Sequence, residues 1–332
     1  MDKKIDVKLK LLYILKFLEE KSDENNPISS AEIIDMLNEV GIRCERKTVY
    51  KDIAALSSFG YDVIKTKTPK SGWFLGERIF EIPELCLLID AVQSASFITS
   101  DKTNVLIDKL KGLTSESFAD KIQNRVYVDK RIKCTNQEIY YTIDKLHTAI
   151  NERKKVEFLY EKKAIQNEGI TIDKHTLKMS PYAMVWNDNK YYLVGNNEKY
   201  DNLMHARIDK IFKLKILDEP IRHFSEVSEY KTEFDTADYA LKVFSMFSGE
   251  VKDIELICNN KLLDNITDRF GENIKIYKHD ADSFRVEFRA AMSAGLISWI
   301  SQYRSAVKIV APEQLKTMYI NELKEILALY DE

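Results

Sequence analysis

The chain has 332 residues, with 50 Lys and Arg against 53 Asp and Glu, a formal net charge of -3. That length exceeds what one hydrophobic core usually supports, so two or three domains are expected, and the composition excludes a collagen-like or disordered chain. No apolar run approaches the roughly 20 residues of a membrane span, the charged start of the chain lacks a signal-peptide apolar core, and Cys44, Cys86, Cys134 and Cys258 form no C-x-x-C pair. A cytoplasmic protein without structural zinc, redox motif or membrane partner is therefore expected.

Leu9, Leu11, Leu12, Ile14, Leu15 and Leu18 recur at helical spacing, which predicts a first helix over residues 7–20. The polar run Asp23-Glu24-Asn25-Asn26-Pro27 ends it as a loop. A second helix follows, with Ser29 or Ser30 as its N-cap and Glu32 or Asp35 in its first turns. After Gly41 comes a third. Val49, Ile53 and Leu56 form its apolar stripe, while Arg46, Lys47, Tyr50 and Lys51 fall on the other side. Gly60 suits the position just past its last turn. Helix, short turn, basic helix is the helix-turn-helix arrangement, whose second helix enters the DNA major groove.

Charge is concentrated here. Between residues 43 and 78 stand eight bases (Arg43, Arg46, Lys47, Lys51, Lys65, Lys67, Lys70, Arg78) and four acids (Glu45, Asp52, Asp62, Glu77), a local positive excess inside an acidic chain. Residues 61–67 and 73–75 read as strands around the turn Thr68-Pro69-Lys70-Ser71-Gly72, so a β-hairpin wing follows the basic helix. Arg46 suits a guanine edge, Tyr50 and Lys51 suit phosphates, and Lys47 and Thr48 are further contacts on the same helix. Lys67 and Lys70 stand near the wing tip. A solvated hairpin edge also carries lysines, but the place after a basic helix favours phosphate contact.

Residues 83–120 read as helical. Leu85, Leu88, Ile89, Val92, Ala95 and Phe97 form one segment, and Val105, Leu106, Leu110 and Leu113 another; such helices suit a linker and a dimer contact. A helix is expected over residues 140–153 with Ile143, Leu146, His147 and Ile150 inward, then an alternating strand at 155–160, a charged loop, and a strand at 174–182. A hairpin turning at Asn187-Asp188-Asn189 and one strand region over 204–216 come next. Residues 220–241 read as a polar linker. The tail alternates strand 254–257, helix 262–270, strand 283–288, helix 296–302, strand 306–310 and helix 312–329, which suggests a small α+β domain with helices on one sheet face. No sequence repeat is present.

At this point the chain resembles bacterial WYL-domain transcription regulators. Thr48-Val49-Tyr50-Lys51-Asp52-Ile53, with Leu56 and Gly60-Tyr61, looks like their recognition-helix signature. Tyr191-Tyr192-Leu193 with Gly195 looks like the Trp-Tyr-Leu motif, and Arg207-Ile208-Asp209-Lys210-Ile211 like the Arg-Leu-Asp-Arg-Ile stretch. The segment 296–315, with Trp299 and Pro312, resembles the C-terminal extension of the family. Departures are Glu45 where a serine cap is usual, Tyr191 for tryptophan, Ala206 for an aromatic, Lys210 for arginine, and Tyr303-Arg304 where a glycine is usual.

The resemblance implies an α+β multidomain fold. Its parts are a winged helix-turn-helix (1–80), a helical linker and dimerisation region (81–139), an SH3-like β-barrel WYL domain that senses ligands (140–220), a linker (221–248) and a C-terminal α+β extension (249–332). It also implies a homodimer on an operator in double-stranded DNA. The implied ligand is a nucleotide or single-stranded nucleic acid, met by Tyr182, Tyr192, His205, Arg207 and Lys210, with cations for phosphate and rings for bases. Alternation also lets Arg207 pair simply with Asp209. The five histidines are dispersed, and no H-E-x-x-H, G-x-S-x-G, phosphate-binding or dinucleotide motif occurs, so neither catalysis nor a metal or cofactor is expected. The alternative is a nucleic-acid-binding accessory protein that modulates a defence or nuclease effector by protein contact.

Overall fold

Three short helices open the fold because each has one apolar stripe and a defined end. The structure, a computed structural model, describes residues 9–123, 133–166 and 169–330; the expected helix start at residues 7–8 lies outside them. Helix α1 (Lys10–Lys21) buries Ile14 and Leu18. Helix α2 (Ser30–Glu39) starts at a capping box in which Ser29 accepts from the Glu32 amide while the Glu32 carboxylate accepts from the Ser29 amide. Helix α3 (Arg46–Phe59) buries Val49, Ile53 and Leu56 and stops at Gly60, whose φ of 117° is open to glycine at little cost. Together with Ile33, Leu37, Ile42 and Trp73 these stripes make one core.

A hairpin of β1 (Val63–Thr66) and β2 (Gly72–Leu75) follows, in register Val63↔Leu75. Trp73 exchanges backbone hydrogen bonds with Ile28, which ties the hairpin to the start of α2. A side chain at position 72 would put its Cβ 2.6 Å from the Ile28 carbonyl oxygen, so glycine is needed for this approach. The segment expected as two helical pieces contains three: α4 (Ile82–Ser94), α5 (Ser100–Lys111) and α6 (Glu116–Gln123), around Ile89, Ile107 and Ile122. Phe97 falls beyond the end of α4 rather than in it, because the chain turns extended at Ala95.

The chain divides into two units, Met1–Cys134 and Thr135–Glu332. The second begins with α7 (Ile139–Asn151), whose buried residues are Ile139, Thr142, Leu146 and Ala149. His147, expected inward, is exposed; the buried face is rotated by one position from the expected one. Five antiparallel strands follow: β3 (Lys154–Gln166), β4 (Gly169–Asn187), β5 (Lys190–Asn196), β6 (Met204–Arg207) and β7 (Ile211–Pro220), in the order β6-β5-β4-β3-β7. The expected closed barrel is corrected to an open sheet. A short 3-10 turn at Ile208–Lys210 carries the chain from β6 to β7, the two edges of the sheet, without pairing them. The Arg207 amide at the end of β6 donates to the Tyr160 hydroxyl of β3 instead of to a β7 carbonyl. The single strand expected over 204–216 is likewise broken by this turn.

Where a charged loop was expected, β3 and β4 continue as a ribbon from Glu161↔Lys174 to Gln166↔Gly169. Its residues are largely exposed, so nothing imposes an apolar alternation; residues 167–168 lie outside the described set. Pro181 does not end β4, since it sits at a register shift between Pro181 and Ala183, where a missing N–H is tolerated. The turn at Asp188 and Asn189 has φ of 48° and 57°, the left-handed pair that a two-residue hairpin needs.

The expected linker over 220–241 is corrected as well. Residues 221–248 hold a 3-10 turn at Phe224–Glu226 and helix α8 (Thr236–Lys242), and bury Val227, Tyr239, Val243 and Met246 against Tyr182, Val185, Val194 and Leu203. The last part is a second antiparallel sheet, ordered β11-β8-β10-β9, from β8 (Val251–Asn259), β9 (Lys275–Lys278), β10 (Ser283–Ala291) and β11 (Val307–Ala311). Helices α9 (Leu263–Phe270), α10 (Ala294–Ser301) and α11 (Glu313–Ala328) give Ile266, Leu296, Ile300 and Leu315 to the core formed with Leu256, Val286 and Ile309. Strand β9 was not expected. No helix among the described residues is long and apolar enough to cross a membrane.

Candidate nucleic-acid interface and sensor surface

The stripe that buries Val49, Ile53 and Leu56 forces the rest of α3 outward, and Arg46, Lys47, Tyr50 and Lys51 are all exposed. None of these cations forms an ion pair among the described residues, whereas Lys10 of α1 is held by Asp52 at 2.8 Å and Lys70 of the hairpin by Glu32 at 2.5 Å. Glu45, at the N-cap of α3, makes no side-chain cap bond. Thr48 is half-buried, and its Oγ1 donates to the Glu45 carbonyl at 2.6 Å. Lys67 is exposed near the hairpin tip. The expected DNA-contact residues thus divide: Arg46, Lys47, Tyr50, Lys51 and Lys67 are open, Lys70 is paired and Thr48 closes the helix start.

On the five-stranded sheet, Arg207 stands across from Tyr192 in the β5–β6 register. The guanidinium grips Asp209 with two bonds, Nε to Oδ1 at 3.0 Å and Nη2 to Oδ2 at 2.6 Å. That carboxylate holds the guanidinium above its usual range. Nη1 is left for another acceptor. Lys210, on the 3-10 turn, forms no ion pair among the described residues; burial lowers its ammonium, followed by the positive charges of Arg207, Lys163 and Lys162. Burial raises the Tyr192 phenol.

The other two expected sensor residues lie in a packed region. Tyr182 is 7% exposed, donates its hydroxyl proton to the Arg222 carbonyl at 2.8 Å, and is pushed up to about 12 by burial. His205 meets the Tyr239 hydroxyl through Nε2 at 2.6 Å, and burial pushes it down to about 4. Both rings belong to a cluster with Phe224, Phe234 and Tyr239. The structure therefore sets Tyr192 across from Arg207 with Lys210 nearby, and packs Tyr182 and His205 under the 221–248 segment, in the same cluster that Tyr192 borders. Sequence reasoning missed Lys65 and Trp73 beside Tyr50, and Tyr160 beneath Arg207. The period-2 pattern of their strands was visible, but the cross-strand neighbours follow only from register. Among the described residues, no group of three or more His, Cys, Asp or Glu is placed to hold a metal.

A helical and hairpin module followed by an open β-meander with an Arg-Ile-Asp-Lys turn and a small α+β domain defines a class. The WYL domain model matches residues 141–216 and the WCX domain model residues 253–327. The chain thus contains a WYL domain followed by a WCX domain. Among solved structures it matches proteasome accessory factor B/C (PafBC) of Arthrobacter aurescens at 15% identity and a TM-score of 0.28. The match covers 99% of this chain and 50% of that one, so the chain spans about half the length of that relative. No curated protein matches.

Proposed function

We propose that the protein is a transcription regulator that binds double-stranded DNA through a winged helix-turn-helix formed by α1 to α3 and the hairpin. The observation that carries this reading is the outer face of α3. Four side chains able to bond phosphate or base edges stand there exposed, with no carboxylate spent on the three cations. Free cations on a solvated face otherwise tend to be balanced by nearby acids, as Lys10 and Lys70 are in this same module. Two copies of the chain presenting two such helices to the halves of a palindromic operator complete the reading. The helices between residues 81 and 139 are the proposed dimerisation region.

The WYL sheet is the proposed sensor. Arg207 through Nη1 and Lys210 through its unpaired ammonium take the phosphate of a nucleotide or single-stranded nucleic acid, and Tyr192 lies against it. Tyr182 and His205 set the wall that holds this strand pair. The ligand acts by binding one state of the dimer better than the other. Genomic fragments retained by the purified protein test the first claim: Arg46→Ala with Lys51→Ala should abolish retention in a gel shift, and unchanged retention refutes it.

A further inference from the structure

Strand β1 places Lys65 opposite Trp73 and beside the recognition surface. Its ammonium lies 5.5 Å from the Tyr50 ring centroid and 5.8 Å from that of Trp73. The two rings meet edge to face, with centroids 4.9 Å apart. Arg46 lies 5.8 Å from the same Tyr50 ring and donates through Nη2 to its hydroxyl at 3.3 Å. That bond from Arg46 is the foremost cause of a Tyr50 phenol below its ordinary value. Tyr50 thus has two cations beside it, and neither forms an ion pair among the described residues.

Arg46, Tyr50 and Lys65 open on one cleft of about 290 Å³, together with Trp73, Ser30 and Ala31. Ser30 and Ala31 begin α2. The capping box takes up the Glu32 amide and the helix ladder starts at Ile33, so the Ser30 and Ala31 amides are used by neither. Glu32, the nearest acid of that turn, is already engaged by the Ser29 amide and Lys70. The cleft is smaller than the roughly 300–1,000 Å³ of a drug-sized ligand site. It suits one tetrahedral oxyanion attached to something outside, which is what a strand phosphate is.

We propose that Lys65, Tyr50 and Arg46, the last turned onto Tyr50 and so toward a phosphate rather than the guanine edge expected from the sequence, seat one phosphate of the DNA backbone against the start of α2, a contact that fixes where α3 enters the groove. The inference rests on the DNA-binding reading above. The rings of Tyr50 and Trp73 restrict Lys65 before DNA arrives, so less side-chain freedom is lost when the phosphate docks. A phosphate contact carries no sequence information; it sets register, and it weakens with salt by counterion release.

The test uses the full chain and a genomic fragment retained by the wild type, with binding measured over a salt series. Lys65→Met keeps the aliphatic stem on the rings and removes the charge. It should lower affinity about tenfold on the retained fragment and on unrelated DNA alike, and make the slope of log K against log salt shallower by about 0.9. Its thermal midpoint should stay at the wild-type value, and Lys65→Arg should restore binding. Phosphate ethylation gives a second readout: one phosphate per half-site should block the wild type when ethylated and cease to matter to Lys65→Met. The proposal is overturned if Lys65→Met keeps both affinity and salt slope, or if its ethylation pattern equals that of the wild type. A wild type that retains no DNA in any salt overturns the DNA-binding reading and this inference together.

Discussion

His205 should make the WYL domain acid-sensitive, and the sign follows from its surroundings. The imidazole lies on β6, bonded through Nε2 to Tyr239 of α8, in contact with Met246, and walled by the cluster of Tyr182, Val194 and Val243. Among the described residues no carboxylate is placed to repay a charge there, and burial, only partly offset by a hydrogen bond to the Met246 backbone, pushes the ring from an ordinary 6.5 down to about 4. In the unfolded chain the same ring titrates near 6.5. As pH falls, the unfolded state takes up a proton that the folded state refuses, so stability is lost progressively from about pH 6.5 and the loss is complete below about pH 4. At about 1.4 kcal/mol for each pH unit of separation, the total is about 3 kcal/mol, a sizeable part of the roughly 5–15 kcal/mol that holds a domain together. Carboxylates such as Glu229 and Asp238, both held below their usual range, contribute a further loss of stability of their own on acidification. The comparison must therefore be with His205→Gln, which keeps a polar group beside Tyr239 and has no proton to gain. Urea unfolding followed between pH 7 and pH 4.5 should show a steeper loss in the wild type than in His205→Gln. Equal slopes, or an NMR titration placing His205 near its ordinary value, would refute the reasoning.

Two further substitutions test the first unit. Glu45→Ser supplies the side-chain cap that α3 lacks and removes an acid from the proposed DNA face; it should stabilise the protein by about 1 kcal/mol and tighten DNA binding, and a lowered melting point would contradict it. Asp23 is 3% exposed and accepts from the amides of Asn25 and Asn26 and from the Ser115 hydroxyl. Asp23→Ala strands these donors and should cost about 2–4 kcal/mol, with faster hydrogen exchange at Asn25 and Asn26; a cost below about 1 kcal/mol in urea unfolding would show the turn to be held by other bonds.

How much of this was legible in the sequence depends on whether a segment has to bury a regular face. The stripe of Val49, Ile53 and Leu56 has one, and α3 lies where it was expected with its cations outward. The ribbon beyond Glu161 has none: its pairing rests on backbone bonds and pairs such as Glu161–Lys174, which leave no period in the residue types. The segment over 221–248 fails for the opposite reason. Phe224, Tyr230, Phe234 and Tyr239 pack against the sheet, but at intervals that match neither a helix nor a strand, so polar neighbours dominate the reading. Strand β9 covers four residues between loops, too few to show alternation.

The candidate sites show a sharper limit, because a sequence gives the number of charges and not their partners. Arg46 and Arg207 read alike as strand- or helix-borne cations beside aromatic residues. In the fold Arg46 has no carboxylate partner among the described residues, while Arg207 is already clasped by Asp209 through two bonds. An oxyanion arriving at Arg46 gains a charge-assisted bond without breaking one. At Arg207 it must either take Nη1 alone or displace Asp209, which is itself only 9% exposed in its side chain and is costly to leave without its partner. The first arrangement suits a surface that must be ready for a polyanion at every encounter. The second suits one that must ignore stray anions, and on the proposed sensor reading it leaves Lys210, half-buried and in no ion pair among the described residues, as the cation on which ligand retention would depend.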